Sequence, residues 1–96
     1  MSRQVTRGSN GASESVLVPN NAGEYWLAIV TGPSDWSTMT ATLQASADNQ
    51  NWFTATNVSG AVSFDGSNAV LVSSGLYYRL VIANYSDDVT LTIKPN

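Results

Sequence analysis

The chain has 96 residues with no Cys and no His, a formal net charge of −3, and only 11% charged residues. That length gives one domain with one core. The composition excludes a disulfide framework, a thiolate nucleophile, a zinc–thiolate site and a histidine acid–base catalyst. With only Arg3, Arg7, Arg79 and Lys94 as cations, no basic patch exists to neutralise phosphates, so nucleic acid is not an expected partner.

Residues 1–15, MSRQVTRGSNGASES, show no hydrophobic period, and Gly, Ser and Asn dominate from Gly8 to Ser15. They read as a flexible N-terminal arm ahead of a folded domain over 16–96. Such an arm is either an idle terminus or a segment that orders on a partner, with Arg3 and Arg7 as its cations. The polar start is unlike a signal peptide, and no apolar run reaches the roughly 20 residues of a membrane-spanning helix. Synthesis in the cytoplasm without membrane association is the expectation.

Strand signals then recur at the spacing of all-β domains. Ser15–Val18 is a short apolar run ended by Pro19 and an Asn20-Asn21 turn. Residues 24–30, EYWLAIV, are nearly continuous in apolar residues, which suits a strand covered on both faces or one at a subunit contact. Thr31-Gly32-Pro33-Ser34-Asp35 is a loop. Thr38–Ser46 alternates strictly, with Met39, Ala41, Leu43 and Ala45 on one face and Thr38, Thr40, Thr42, Gln44 and Ser46 on the other. Asp48-Asn49-Gln50-Asn51 turns the chain, and Trp52–Thr56 resumes a strand.

Ala61–Phe64 and Ala69–Val72 flank Asp65-Gly66-Ser67-Asn68, the pattern of a β-hairpin. Residues 76–83, LYYRLVIA, form another long strand. Val89–Ile93 closes the chain with Val89, Leu91 and Ile93 on one face, and Pro95 ends the pairing. The sum is about eight short antiparallel strands without significant helix. The fold class is all-β, a single β-sandwich, for which a jelly roll of two four-stranded sheets is one arrangement. Strand order is not legible in these patterns.

Few residues offer chemistry. The carboxylates are Glu14, Glu24, Asp35, Asp48, Asp65, Asp87 and Asp88. Asp35, Asp48, Asp65, Asp87 and Asp88 fall in turns, where capping explains them. A glycosidase pair needs two carboxylates in a deep cleft, and a sandwich of this size seldom has one, so the expectation is a protein that is not an enzyme. Asp87-Asp88 and Asp48–Asn51 are rich in oxygen, yet neither has the spacing of a calcium loop. Neither metal nor cofactor is expected.

Aromatic residues are the better binding candidates. Trp26 and Trp52 lie in strand patterns and read as core. Trp36 follows a Pro-Ser-Asp loop and reads as an exposed tip, able to contact a partner or stack on a sugar. Trp52 and Tyr85 are the other possible stacking platforms. Tyr77 and Tyr78 are consecutive and face opposite ways. Arg79 shares the face of Tyr77 and is either solvated or an interface ion-pair donor toward Glu24 or Asp88. Tyr25, Leu27, Tyr77 and Arg79 are the expected subunit-interface residues.

The run Thr-Ala-Thr-Leu-Gln-Ala-Ser-Ala-Asp-Asn-Gln-Asn-Trp over 40–52, followed later by Gly-Leu-Tyr-Tyr-Arg-Leu-Val-Ile over 75–82, resembles a pattern of small tailed-bacteriophage virion proteins. The resemblance spans Met39 to Ile93. The usual Asp-Gly of the turn is Asp48-Asn49 here. The turn is also similar to one in discoidin-type carbohydrate-binding sandwiches. The resemblance implies a capsid decoration or cement protein on the virion surface, with the major capsid protein as partner and a homo-oligomer, a trimer above all, at local three-fold positions. A carbohydrate- or receptor-binding module of the fibre-tip type is the alternative.

Overall fold

A computed structural model describes residues 3–19, 25–57 and 60–95. These contain no helix and twelve strands: β1 (Arg3–Arg7), β2 (Gly11–Ala12), β3 (Val16–Leu17), β4 (Tyr25–Thr31), β5 (Thr40–Ser46), β6 (Phe53–Thr54), β7 (Thr56–Asn57), β8 (Gly60–Ala61), β9 (Ser63–Phe64), β10 (Asn68–Ser73), β11 (Tyr77–Ala83) and β12 (Val89–Pro95). The first sheet has the order β1-β12-β4-β10. The second is built on β11 and β5, with β2 and β3 beside β11 and β6 and β9 beside β5. β7 and β8 form a short ladder of their own. Every pairing is antiparallel.

Following the chain, β1 lies in the first sheet, β2–β3 in the second, β4 in the first, β5, β6 and β9 in the second, β10 in the first, β11 in the second and β12 in the first. With the paired fragments taken as single strands, this alternation gives two four-stranded sheets in jelly-roll connectivity, eight strands wound as two Greek keys. Alternate residues of the long strands fill the space between the sheets. Trp26, Ala28 and Val30 of β4 and Val89, Leu91 and Ile93 of β12 point in from one side. Ala41, Leu43 and Ala45 of β5 and Tyr78, Leu80 and Ile82 of β11 point in from the other. Leu43, Leu80, Leu91 and Ile93 are fully buried, each contributing about 1.5–3 kcal/mol relative to exposure.

Residues 3–15 pair with the sandwich, unlike the free arm that the composition of 1–15 suggested. β1 pairs with β12 along its whole length, and Val5 stands in register with buried Leu91. Gly11–Ala12 joins β11, and buried Ser13 bonds Leu80 in both directions: its N–H donates to the Leu80 carbonyl (2.7 Å), and its Oγ accepts the Leu80 N–H (3.0 Å). One Val among Ser, Gly and Asn leaves no periodic signal, yet long-range main-chain pairing needs none.

The Asp65–Asn68 hairpin is also corrected. β9 pairs with β5 and β10 with β4, so this loop crosses between sheets. A polar loop between apolar runs looks the same whether the second run pairs with the first or swings to the opposite sheet. Ser67 Oγ accepts the Gly32 N–H at 3.1 Å, tying this loop to the one after β4. The Asn20-Asn21 turn and Glu24 lie outside the described residues.

Candidate functional site

The jelly roll gathers the β1–β2, β4–β5, β9–β10 and β11–β12 loops at one end. Asn10 Oδ1 accepts the Tyr85 N–H at 2.8 Å, and Ser86 Oγ donates to the Trp36 carbonyl at 3.3 Å. An open groove of about 440 Å³ runs between residues 33–37 and 65–67. Asp35 and Asp65 line it, but Asp35 Oδ1 accepts the Ser37 N–H (2.9 Å) and holds Ser37 in its left-handed conformation (φ 55°).

Trp36 is not an exposed tip. It is 4% exposed and lies against Gly32, where a Cβ atom would stand 2.8 Å from Trp36 Cζ2. The absence of a side chain at Gly32 lets the indole fold under the loop and close this end of the core. Trp36 therefore offers no ring face to a sugar or a partner.

The Asp48 turn saturates its carboxylate. Oδ1 accepts the Asn51 N–H (2.8 Å), the Gln50 N–H (2.9 Å) and the Ser46 hydroxyl (2.9 Å), and Oδ2 accepts the Asn51 amide (2.7 Å). These donors, the Asn51 and Gln50 main-chain N–H first, hold the carboxyl well below the usual carboxylate range. A ring of donors around the carboxylate is the reverse of a cation site. Asp88 accepts the Tyr85 hydroxyl at 2.6 Å, and this bond raises the Tyr85 pKa. Among the described residues, no three His, Cys, Asp or Glu gather around a common metal position.

The two outer sheet faces hold the rest. On the second sheet, the Arg79 guanidinium lies 4.1 Å over the Trp52 ring, and its Nε donates to Gln44 Oε1 at 2.8 Å. Trp52 is thus half-buried under an arginine rather than part of the core. Tyr77 and Val81 share this face, among Thr40, Thr42 and Thr54.

The outer face of the first sheet is divided along its length. The β1–β12 half is polar: Gln4 Nε2 donates to Thr92 Oγ1 (3.0 Å), and the hydroxyls of Thr6 and Thr90 bond at 2.8 Å. The β4–β10 half presents Tyr25, Leu27 and Ile29, with Leu71 in register beside Leu27 and Ala69 beside Ile29. Tyr25 is 60% exposed and Leu71 48%.

The residues expected at an interface therefore fall on opposite sides of the sandwich, Tyr25 and Leu27 on one and Tyr77 and Arg79 on the other. Arg3 is exposed on β1. Arg7 is spent locally: its Nε donates to the Ser9 carbonyl (3.1 Å), and its Nη2 donates to the Asn10 carbonyl. Ile29, Leu71 and Gln44 escaped notice in the sequence because strand register, which alone makes them neighbours of Leu27 and Arg79, is not a local property. No family model, curated protein or solved structure matches the chain.

Proposed function

We propose that the chain is a structural protein of a bacteriophage virion, a decoration or cement protein that binds the outside of the capsid and stabilises the assembled shell. The observation that supports this best is the divided outer face of the first sheet. Single exposed apolar residues are ordinary, whereas adjoining ones with no charge among them suit protein contact. Exposed Tyr25 and Leu71 and half-buried Leu27 and Ile29 form such a group, with Lys94 in register beside Leu27 as the rim cation.

Two sheets packed on a filled core give this face a rigid backing. A protein that binds only the assembled shell stabilises it by mass action, by about 2.7 kcal/mol per site at a hundredfold excess over Kd. In this reading the partner is the major capsid protein, contacted by the sheet face rather than by an arm, and the site of action is the virion surface. Trp36 is buried, one face of Trp52 is covered by Arg79, and Tyr85 packs partly buried against the core with its hydroxyl on Asp88, so the sugar-stacking alternative is not adopted.

The test uses capsids assembled from the major capsid protein of the same genome. Saturable co-sedimentation, with a higher thermal transition of the shell, is expected. Protein that stays in the supernatant at every concentration refutes the proposal.

A further inference from the structure

An edge strand presents unpaired N–H and C=O groups and so invites another strand. Among the described residues, three of the four edges of the two large sheets carry a device against this. β1 sets Arg3 and Arg7 in register with buried Ile93 and Val89, which places charge on the inward side of an edge strand. β2 and β3 are two residues each and are interrupted at Ser13. β6 and β9 are also two residues each, separated by the excursion through β7 and β8. β10 is different: its six residues NAVLVS include no charge, proline or glycine, and among the described residues it is hydrogen-bonded to β4 on one side alone. The β7–β8 ladder lies near β10 without joining it.

We infer that β10 is a dimerisation edge, on which a second copy of this chain docks its own β10 antiparallel across a two-fold axis at Leu71. The two first sheets then merge into one of eight strands. The inference does not rest on the capsid reading. The case for a second copy is self-complementarity of the main chain. The Ala69 N–H donates to Asn68 Oδ1 (2.8 Å), so it faces away from β4. By the two-residue period, the N–H and C=O of Leu71 and Ser73 face the same way. The Ser73 C=O already accepts the Tyr78 hydroxyl (2.9 Å).

A two-fold axis at Leu71 sets Ala69 opposite Ser73 of the second copy. The two groups already satisfied, the Ala69 N–H and the Ser73 C=O, then oppose each other. The open groups meet: Leu71 N–H with Leu71 C=O, and Ser73 N–H with Ala69 C=O, each twice by symmetry. No existing bond is released. An uncharged strand brings no like-charge repulsion to the axis, and the half-exposed Leu71 side chains come side by side. A contact of this kind is isologous and closes as a dimer, not as the trimer expected from the sequence.

The test is solution mass by light scattering together with cysteine cross-linking. The chain has no Cys, so Leu71→Cys carries a single thiol. Facing residues of a hydrogen-bonded antiparallel pair have Cα atoms about 5.5 Å apart, within disulfide range. The expected results are a mass of two chains for the wild type, covalent dimers from oxidised Leu71→Cys, and none from Thr6→Cys on β1. Leu71→Lys should give a one-chain mass with an unchanged circular dichroism spectrum. A wild-type mass of one chain at millimolar concentration, a three-chain mass, or equal cross-linking at both cysteines overturns the inference. If Leu71→Lys does not fold, the cross-link decides by itself. Capsid binding is not read in this experiment, so its outcome leaves the functional proposal to be judged separately.

Discussion

Trp36→Ala is expected to cost stability, not binding. The indole is 4% exposed and closes the loop end of the core, and truncating a buried Trp to Ala costs about 3–5 kcal/mol. A domain of this size has roughly 5–14 kcal/mol in total, so the variant loses about a fifth of it or more. At 4–8 °C per kcal/mol, Tm falls by about 12 °C or more. Gly32→Ala acts on the same contact from below. Its new Cβ would stand 2.8 Å from Trp36 Cζ2 and 2.9 Å from Cε2, an overpacking that costs about 1–3 kcal/mol. In the Trp36→Ala background the obstructing ring is gone, so Gly32→Ala should cost less than about 0.5 kcal/mol, and the cycle is non-additive. Urea titration followed by circular dichroism gives all four stabilities. A Trp36→Ala loss below about 1 kcal/mol, or strict additivity of the two substitutions, would refute the buried placement of Trp36.

Other outcomes follow from the same contacts. Ser46 is fully buried, and its hydroxyl accepts the Asp48 and Asn49 N–H groups while donating to Asp48; Ser46→Ala should cost about 1–3 kcal/mol in urea denaturation. The Asp48 carboxyl titrates below its ordinary value of 3.8 in the folded state, so its contribution is complete above that value and is lost as pH falls through the lower folded pKa; Asp48→Asn should flatten the acid limb of a stability–pH curve below about pH 4 and leave its shape near neutrality unchanged. Arg79→Ala should remove about 0.5–1 kcal/mol and change the fluorescence of Trp52, and Arg79→Lys should not restore it, because a lysine lacks the planar stack and the Nε donor to Gln44. Deleting residues 2–14 uncovers Leu91 on the β12 edge and removes the Ser13 bonds to Leu80; it should cost about 3 kcal/mol or more, and a truncated chain that melts like the full one would contradict the pairing of β1.

The strands with a clear period two, β5 and β12, could be read from the sequence because burial of one face imposes that period, and β11 could be read from its long apolar run. The class of fold follows from them. What local pattern does not carry is partner choice. The alternation of Val5 is too short to show β1, and the Asp-Gly loop before β10 looks the same for a hairpin and for a crossing between sheets. Trp36 misled for a related reason: a Pro-Ser-Asp loop reads as exposed, and only the empty space at Gly32 shows that the ring turns inward. Tyr25 and Leu27 were recognisable as surface candidates because EYWLAIV is too apolar for a strand with one wet face. Leu71 was not, since its neighbourhood with Leu27 exists only through the β4–β10 register.

The claim that the outer face of the first sheet is the docking surface is tested most directly by capsid co-sedimentation of two single variants. Leu27→Asp places a charge in the apolar half of that face, and Thr42→Asp places the same charge on the outer face of the second sheet. With both variants shown to be folded, the account predicts that Leu27→Asp loses shell binding at least tenfold while Thr42→Asp binds as the wild type does. Equal binding by the two variants, or loss confined to Thr42→Asp, would contradict it.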